Sequence, residues 1–138
     1  MTTTAEALRA IPLFRGMSDH SIDIIADIVR ETSFQPGASL VREGDPGDSF
    51  MIIRHGTATV DQGGRTLRAL GPGDFLGEIA LIDGGRRTAS VSATEPVDAL
   101  VIDRAGFERL MNDFPVVRFD LVSALTQRLR ARAPEPTD

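Results

Sequence analysis

The chain has 138 residues, of which 41% are hydrophobic and 25% charged, and this length and composition fit one globular domain. Fifteen basic against 20 acidic residues give a formal net charge of -5, which repels nucleic acid at long range. The sequence has no cysteine, no leader-like start and no apolar run long enough to span a membrane. We therefore expect a soluble, cytoplasmic protein with neither a nucleic-acid nor a membrane partner.

Residues 1–33 are predicted to form an N-terminal helical segment. Ser18 is a suitable N-cap for the second helix of this segment. The residues that recur at the spacing of one helical face are Ile22, Ile25, Ala26 and Val29. This apolar face should pack on the rest of the domain.

The pattern changes in residues 34–103, where short runs rich in Val, Ile, Phe and Thr are separated by Gly and Pro. Pro36-Gly37 suits a type II turn, and Gly63-Gly64 suits a β-hairpin. Phe50–Ile53 is a continuous apolar run of the kind that forms a buried strand. Together these features predict an all-β roll or barrel.

Residues 104–132 return to helical spacing, with Pro115 in the first turn of the last helix. The apolar residues that recur every fourth position on this helix are Val117, Leu121, Leu125 and Leu129. We expect this stripe to pack on the roll rather than to form a dimer seam, because one helix of about four turns is short for a coiled coil. Residues 133–138 are predicted to be a flexible tail, and all four segments belong to one domain.

The segment 75–91 combines a glycine-opened helical turn, a glycine loop and an arginine that enters a strand. A helix start directs backbone N–H groups at an anion, and Gly77 allows the backbone to approach it closely. Arg87 can give a bidentate, permanently charged contact to phosphate oxygens. The carboxylate of Glu78 needs a neutral donor as its partner, for which a ribose hydroxyl is suitable. These residues point to a sugar phosphate.

This segment resembles the phosphate-binding cassette of cyclic nucleotide-binding domains. The cassette pattern is met by Gly77-Glu78-Ile79-Ala80-Leu81 and by Arg87-Thr88-Ala89. A second signature of the family is met by Leu40–Gly47, Phe50–Ile53 and Gly56. The resemblance spans roughly residues 13–132 and is greatest to the C-terminal domains of cyclic nucleotide-gated channels. Kinase regulatory subunits and catabolite activator proteins are more distant.

The resemblance implies a mainly β fold with flanking helices, namely an eight-stranded antiparallel, jelly-roll-like β-roll. N-terminal helices, a short phosphate-binding helix and two C-terminal helices, the second acting as a lid, would accompany it. It also implies that Glu78 and the Gly77 backbone meet the ribose 2'-hydroxyl. Arg87, Thr88 and the Ala80 N–H would hold the cyclic phosphate. The remaining implied ligand-binding positions are Ile79 and Ala89 in the cassette, Val60 and Leu70 against the base, and Arg128 on the lid helix.

The chain departs from the family pattern at two positions. It has Arg86 where many members have proline, and we assign the phosphate contact to Arg87 because Thr88-Ala89 follows it. It also has Arg68 at a strand position that is often apolar in the channel group.

The resemblance implies a standalone sensor that binds cAMP or cGMP, with cAMP favoured, and that has no other cofactor. Closure of its C-terminal helix would signal to an unidentified protein effector, and the module would be a monomer or weak dimer. It would not be an enzyme. His20 and His55 are the only histidines, so neither a metal site nor the metal cluster of a cupin-like enzyme is expected.

Two other interpretations of the sequence differ in function. A regulatory or interaction domain could retain this fold without a ligand, although the cassette residues argue against it. A transcription factor is disfavoured because the chain stops after the lid helix, where activator proteins continue into a helix-turn-helix.

Overall fold

The computed structural model describes residues 3–77 and 86–132, apart from the side chains of residue 125 and residues 127–132. Its N-terminal part consists of helix α1 (Thr4–Arg9), a 3-10 turn (Pro12–Phe14) and helix α2 (Asp19–Ile28). The Ser18 Oγ accepts a hydrogen bond from the Ser21 N–H at 3.1 Å, which confirms the predicted N-cap of α2.

Eight antiparallel strands of the described chain form the roll, as the family resemblance implied. They are β1 (Arg30–Phe34), β2 (Ser39–Val41), β3 (Ser49–His55), β4 (Ala58–Gln62), β5 (Arg65–Leu70), β6 (Phe75–Leu76), β7 (Ser90–Ala93) and β8 (Val97–Asp103). One sheet has the order β1-β8-β3-β6, and the other has the order β2-β7-β4-β5. The predicted glycine turn joins β4 to β5, with positive φ at both Gly63 and Gly64.

The structure moves the start of the roll from residue 34 to Arg30. Helix α2 ends at Ile28, and β1 pairs with β8 over its whole length, from Arg30 opposite Val101 to Phe34 opposite Val97. Most of β1 is polar, so its sequence lacks the apolar runs that mark the other strands. Pairing with β8, a contact distant in sequence, makes this segment a strand.

Strand β3 is buried on both faces because it lies between two apolar clusters. Phe50 and Ile52 belong to the cluster that the helices cover. Met51 and Ile53 belong to the cluster enclosed between the two sheets. This position explains the continuous apolar run of the strand.

Two helices follow the roll, α3 (Arg104–Asp113) and α4 (Pro115–Arg132). The Asp103 carboxylate accepts a hydrogen bond from the Gly106 N–H at 2.7 Å and so caps α3. Val117 and Leu121 of α4 are buried in the helix-covered cluster, as predicted for the first half of the apolar stripe. No helix in the described ranges is long and apolar enough to cross a membrane.

Candidate functional site

The two sequence signatures meet where the segment before β7 runs beside the loop between β2 and β3. The Arg87 N–H donates to the Asp45 carbonyl at 2.8 Å, and the Gly44 N–H donates to the Arg87 carbonyl at 2.9 Å. The adjacent residues Pro46 and Arg86 form an antiparallel β-bridge. The loop of one signature therefore fixes the backbone of the arginine in the other.

The Arg87 side chain is enclosed, with a relative exposure of 7%. Its Nη2 donates to the Ser49 carbonyl oxygen at 2.8 Å and to the Ser49 Oγ at 3.2 Å. The start of β3 thus fixes the guanidinium group. Among the described residues, Arg87 is the single buried charged or polar one. Arginine is seldom buried, and buried charged groups cluster at functional sites, so this position is a candidate for ligand binding.

Gly77 follows β6 and lies directly against this guanidinium. Its φ of +91° is in the region that favours glycine. A Cβ atom at Gly77 would stand 2.6 Å from the Ser49 carbonyl oxygen and 3.2 Å from the Arg87 Cζ. The structure therefore brings together two predicted site residues that lie on opposite sides of residues 78–85. Glycine is needed here because any side chain would collide with the arginine and with β3.

Thr88 and Ala89 extend the site towards β7. The Thr88 side chain is exposed, while its carbonyl oxygen accepts a hydrogen bond from the Gln62 Nε2 at 2.9 Å. Ala89 is half-buried against the cluster between the sheets. The backbone of Thr88 is held from β4. The structure thus places an exposed hydroxyl directly after the buried Arg87 in the chain.

The predicted base-contacting residues lie on the inner face of the second sheet. Val60 and Leu70 are 3% and 2% exposed and pack in the cluster between the sheets. Because other core side chains cover them, a base could contact only their edges. Arg68 is opposite Val60 across the β4–β5 ladder and is half-buried, so its side chain starts from the same inner face.

Two residues of this region were missed by sequence reasoning. Ser49 orients Arg87, and Gln62 holds the Thr88 backbone. A serine at a strand start and a glutamine at a strand end carry no distinguishing pattern. Arg68 departs from the family pattern in the sequence but was not predicted to be a site residue.

All the site residues remain predictions, and the structure does not describe the side chains of four of them. Glu78, Ile79 and Ala80 lie outside the described residues, as does the side chain of Arg128 on α4. The ribose contact, the Ala80 N–H contact and the lid contact to the base rest on the family resemblance.

The described residues offer no metal site, since no group of three or more histidine, cysteine, aspartate or glutamate residues among them could hold an ion. His20 lies in α2, and His55 lies at the end of β3.

Comparison with known proteins identifies relatives of this chain. The family model described as "Cyclic nucleotide-binding domain" matches residues 31–114. The chain is 34% identical over 134 residues to a cGMP-dependent protein kinase, isozyme 2, of Drosophila melanogaster, covering 90% of this chain and 14% of the kinase. It is 30% identical to the cyclic AMP receptor protein of Thermus thermophilus, covering 89% of this chain and 59% of that protein.

A solved structure gives the same result. A cAMP-binding acyltransferase from Mycobacterium smegmatis superposes with a TM-score of 0.80 and is 34% identical, covering 93% of this chain and 41% of that one. In each of these cases the chain spans less than two thirds of its relative. A greater similarity to the channel domains than to kinases or activator proteins stays a prediction.

Proposed function

The chain belongs to the family of cyclic nucleotide-binding domains, and on that premise we propose that it is a ligand-binding regulatory module without catalytic activity of its own. Arg87 and Thr88 hold the cyclic phosphate, and the Gly77 backbone lies beside the ribose. Glu78 accepts a hydrogen bond from the 2'-hydroxyl. The C-terminal helices transmit binding to a protein effector.

The enclosed guanidinium of Arg87 is the observation that carries this proposal. It is 7% exposed, is fixed by Ser49 and lies against the bare backbone of Gly77. A fixed cation in a low-dielectric setting attracts an anion more strongly than a solvated surface arginine does. The absence of a side chain at Gly77 lets its backbone lie directly against this guanidinium.

The link to the helices supports a signalling role. The Arg104 Nη2 at the start of α3 donates to the Gly47 carbonyl oxygen at 2.5 Å. Gly47 belongs to the loop whose Gly44 and Asp45 pair with the Arg87 backbone. A ligand that binds one arrangement of this loop more tightly than another would therefore bias the position of the C-terminal helices.

Titration calorimetry with cAMP, cGMP and the linear 5'-monophosphates tests the proposed function. We expect one saturable site for a cyclic nucleotide and much weaker binding of the linear forms, whose phosphate carries an additional charge and lacks the ring. The absence of heat with either cyclic nucleotide, in a protein shown to be folded, would overturn the proposal. That result would favour the alternative interpretation, in which the domain retains the fold but binds no ligand.

The Glu78→Ala variant tests the proposed ribose contact. We expect it to bind the 2'-hydroxylated cyclic nucleotide about tenfold to a hundredfold more weakly, because the hydroxyl loses a charged acceptor. Its affinity for the 2'-deoxy analogue should change little. The measurement is a titration of the wild type and of the variant with each of the two cyclic nucleotides. Equal losses of affinity for the two ligands would refute the role of the Glu78 carboxylate.

The position of Arg68 supports cGMP as the ligand, in place of the cAMP that the sequence analysis favoured. A guanidinium carries only donors, and guanine presents two adjacent acceptors, O6 and N7. Adenine presents a donor, its N6 amino group, beside N7. An arginine on the inner face of β5, opposite Val60, therefore suits guanine better.

The Arg68→Leu variant tests this specificity. We expect wild-type protein to prefer cGMP, and the variant to lose roughly 5- to 150-fold in cGMP affinity with little change for cAMP. Arg65→Leu is the matched control, since Arg65 lies on the same strand and is exposed. Competition of each nucleotide against a fluorescent cyclic nucleotide gives the ratios. Parallel losses for both nucleotides in Arg68→Leu would contradict a role in reading the base.

A further inference from the structure

Ser49, at the start of β3, supplies two hydrogen-bond acceptors to one nitrogen of Arg87. The Arg87 Nη2 donates to the Ser49 carbonyl oxygen at 2.8 Å and to the Ser49 Oγ at 3.2 Å. Any residue would offer the carbonyl, because it belongs to the backbone, whereas the second acceptor requires a hydroxyl side chain. The two contacts can therefore be separated by substitution.

We propose that Ser49 is a positioning residue of the anion site, whose hydroxyl fixes the plane of the Arg87 guanidinium and so raises the affinity for the cyclic phosphate. This inference rests on the proposed function, in which Arg87 holds that phosphate. Ser49 acts through Arg87 and needs no contact with the ligand.

The shape of the guanidinium explains why a second acceptor matters. The group is planar, and its five N–H donors point in fixed directions. A single acceptor leaves the plane free to turn about that one hydrogen bond, but two acceptors at the same nitrogen define the plane. A group that is fixed before the ligand arrives loses less conformational entropy on binding, and the affinity is higher for that reason.

The surroundings keep the hydroxyl in place. Ser49 lies opposite Asp103 in the ladder between β3 and β8, and the next residue, Phe50, is fully buried, so the backbone is fixed at this point. The Ser49 side chain lies on the same face of β3 as Met51, which packs in the cluster between the sheets. A hydrogen bond inside such an enclosed region is stronger than one in water.

The two acceptors that Ser49 supplies are both neutral. They orient the guanidinium without cancelling its positive charge, which is what attracts an anion. A carboxylate in the same place would hold the arginine more tightly but would repel a phosphate. Serine therefore suits a cation that must be fixed and must still bind an anion.

Nuclear magnetic resonance of the arginine side chains in the ligand-free protein tests the positioning directly. We expect rotation about the Arg87 Nε–Cζ bond to be about threefold to tenfold faster in Ser49→Ala than in the wild type, because one hydrogen bond to the rotating group is lost. Arg87→Ala identifies the signal. Equal rotation rates in the wild type and Ser49→Ala would overturn the proposal, since the backbone carbonyl alone would then hold the group.

Competition against a fluorescent cyclic nucleotide tests the effect on binding. Ser49→Ala and Ser49→Cys should each lose about threefold to tenfold in affinity for cAMP and cGMP. Cysteine nearly keeps the volume of serine, but its thiol is a weak acceptor, so a loss in both variants assigns the effect to the hydrogen bond. Ser39→Ala is the matched control, because Ser39 also begins a strand and is also half-buried, and it should bind like the wild type.

The outcomes distinguish this inference from the proposed function. A folded wild type that binds neither cyclic nucleotide would overturn the proposed function, and the rotation rates, which need no ligand, would still decide whether Ser49 orients Arg87. A wild type that binds, with full affinity retained in Ser49→Ala or in Ser49→Cys, would overturn the role of the hydroxyl alone. An equal loss in Ser39→Ala would also overturn it, because the effect would then not depend on contact with Arg87.

Discussion

Replacement of Arg87 by alanine is expected to weaken cyclic nucleotide binding by roughly 30-fold to a few thousand-fold, which corresponds to about 2–5 kcal/mol for the loss of a buried, charged hydrogen-bond partner. The guanidinium is enclosed and fixed by two contacts to Ser49, so the protein has already oriented it before the ligand arrives. No flexible surface residue could replace such a preorganised charge. Titration calorimetry or competition with a fluorescent cyclic nucleotide measures the loss.

The matched control is Arg86→Ala. Arg86 is the preceding residue and has the same charge, but it is exposed and donates to the Gly44 carbonyl oxygen at 2.8 Å. It should lose less than about fivefold in affinity, since an exposed charge contributes little. Urea denaturation of both variants separates binding from stability. Equal loss of affinity in the two variants, or a larger loss in Arg86→Ala, would show that the phosphate arginine is misassigned.

Replacement of Gly56 by alanine is expected to have the largest effect on stability, about 2–5 kcal/mol. Gly56 lies between β3 and β4 at a φ of +91°, a conformation that disfavours a side chain by about 1–2 kcal/mol. A Cβ atom there would also lie 2.9 Å from the Pro96 carbonyl carbon and 3.0 Å from the Val97 Cα. These are backbone atoms that cannot rotate away, so overpacking adds about 1–3 kcal/mol.

Gly64→Ala separates the conformational contribution to the loss of stability from the contribution of overpacking. Gly64 also has a positive φ, of 80°, but a Cβ atom there would meet nothing within 4 Å. This variant should therefore lose only the conformational part, about 1–2 kcal/mol. The free energies of unfolding from urea titrations give the difference. If the two variants lost equal stability, the contact with the connection between β7 and β8 would have to be relieved by a small backbone movement.

Much of the fold and part of the site could be predicted because local rules govern them. The Gly63-Gly64 hairpin and the Ser18 cap depend on neighbouring residues alone, and the structure has both. The run Phe50–Ile53 predicted a buried strand because few other settings suit four consecutive apolar residues. The resemblance to the family's cassette could be recognised because its glycine and arginine stand at definite places in the chain.

The sequence by itself determined the family and the roll and predicted a phosphate-binding segment, since these follow from turn chemistry, apolar patterning and short motifs. The tertiary structure decided that Arg30–Phe34 is a strand, that Ser49 holds Arg87, and that Arg68 starts from the inner face of the roll. It also decided that Val117 is buried while Phe119 is 70% exposed. Each of these outcomes depends on which distant segment lies opposite. Local preferences act over a few residues, and they carry no information about a neighbour that only folding brings into contact.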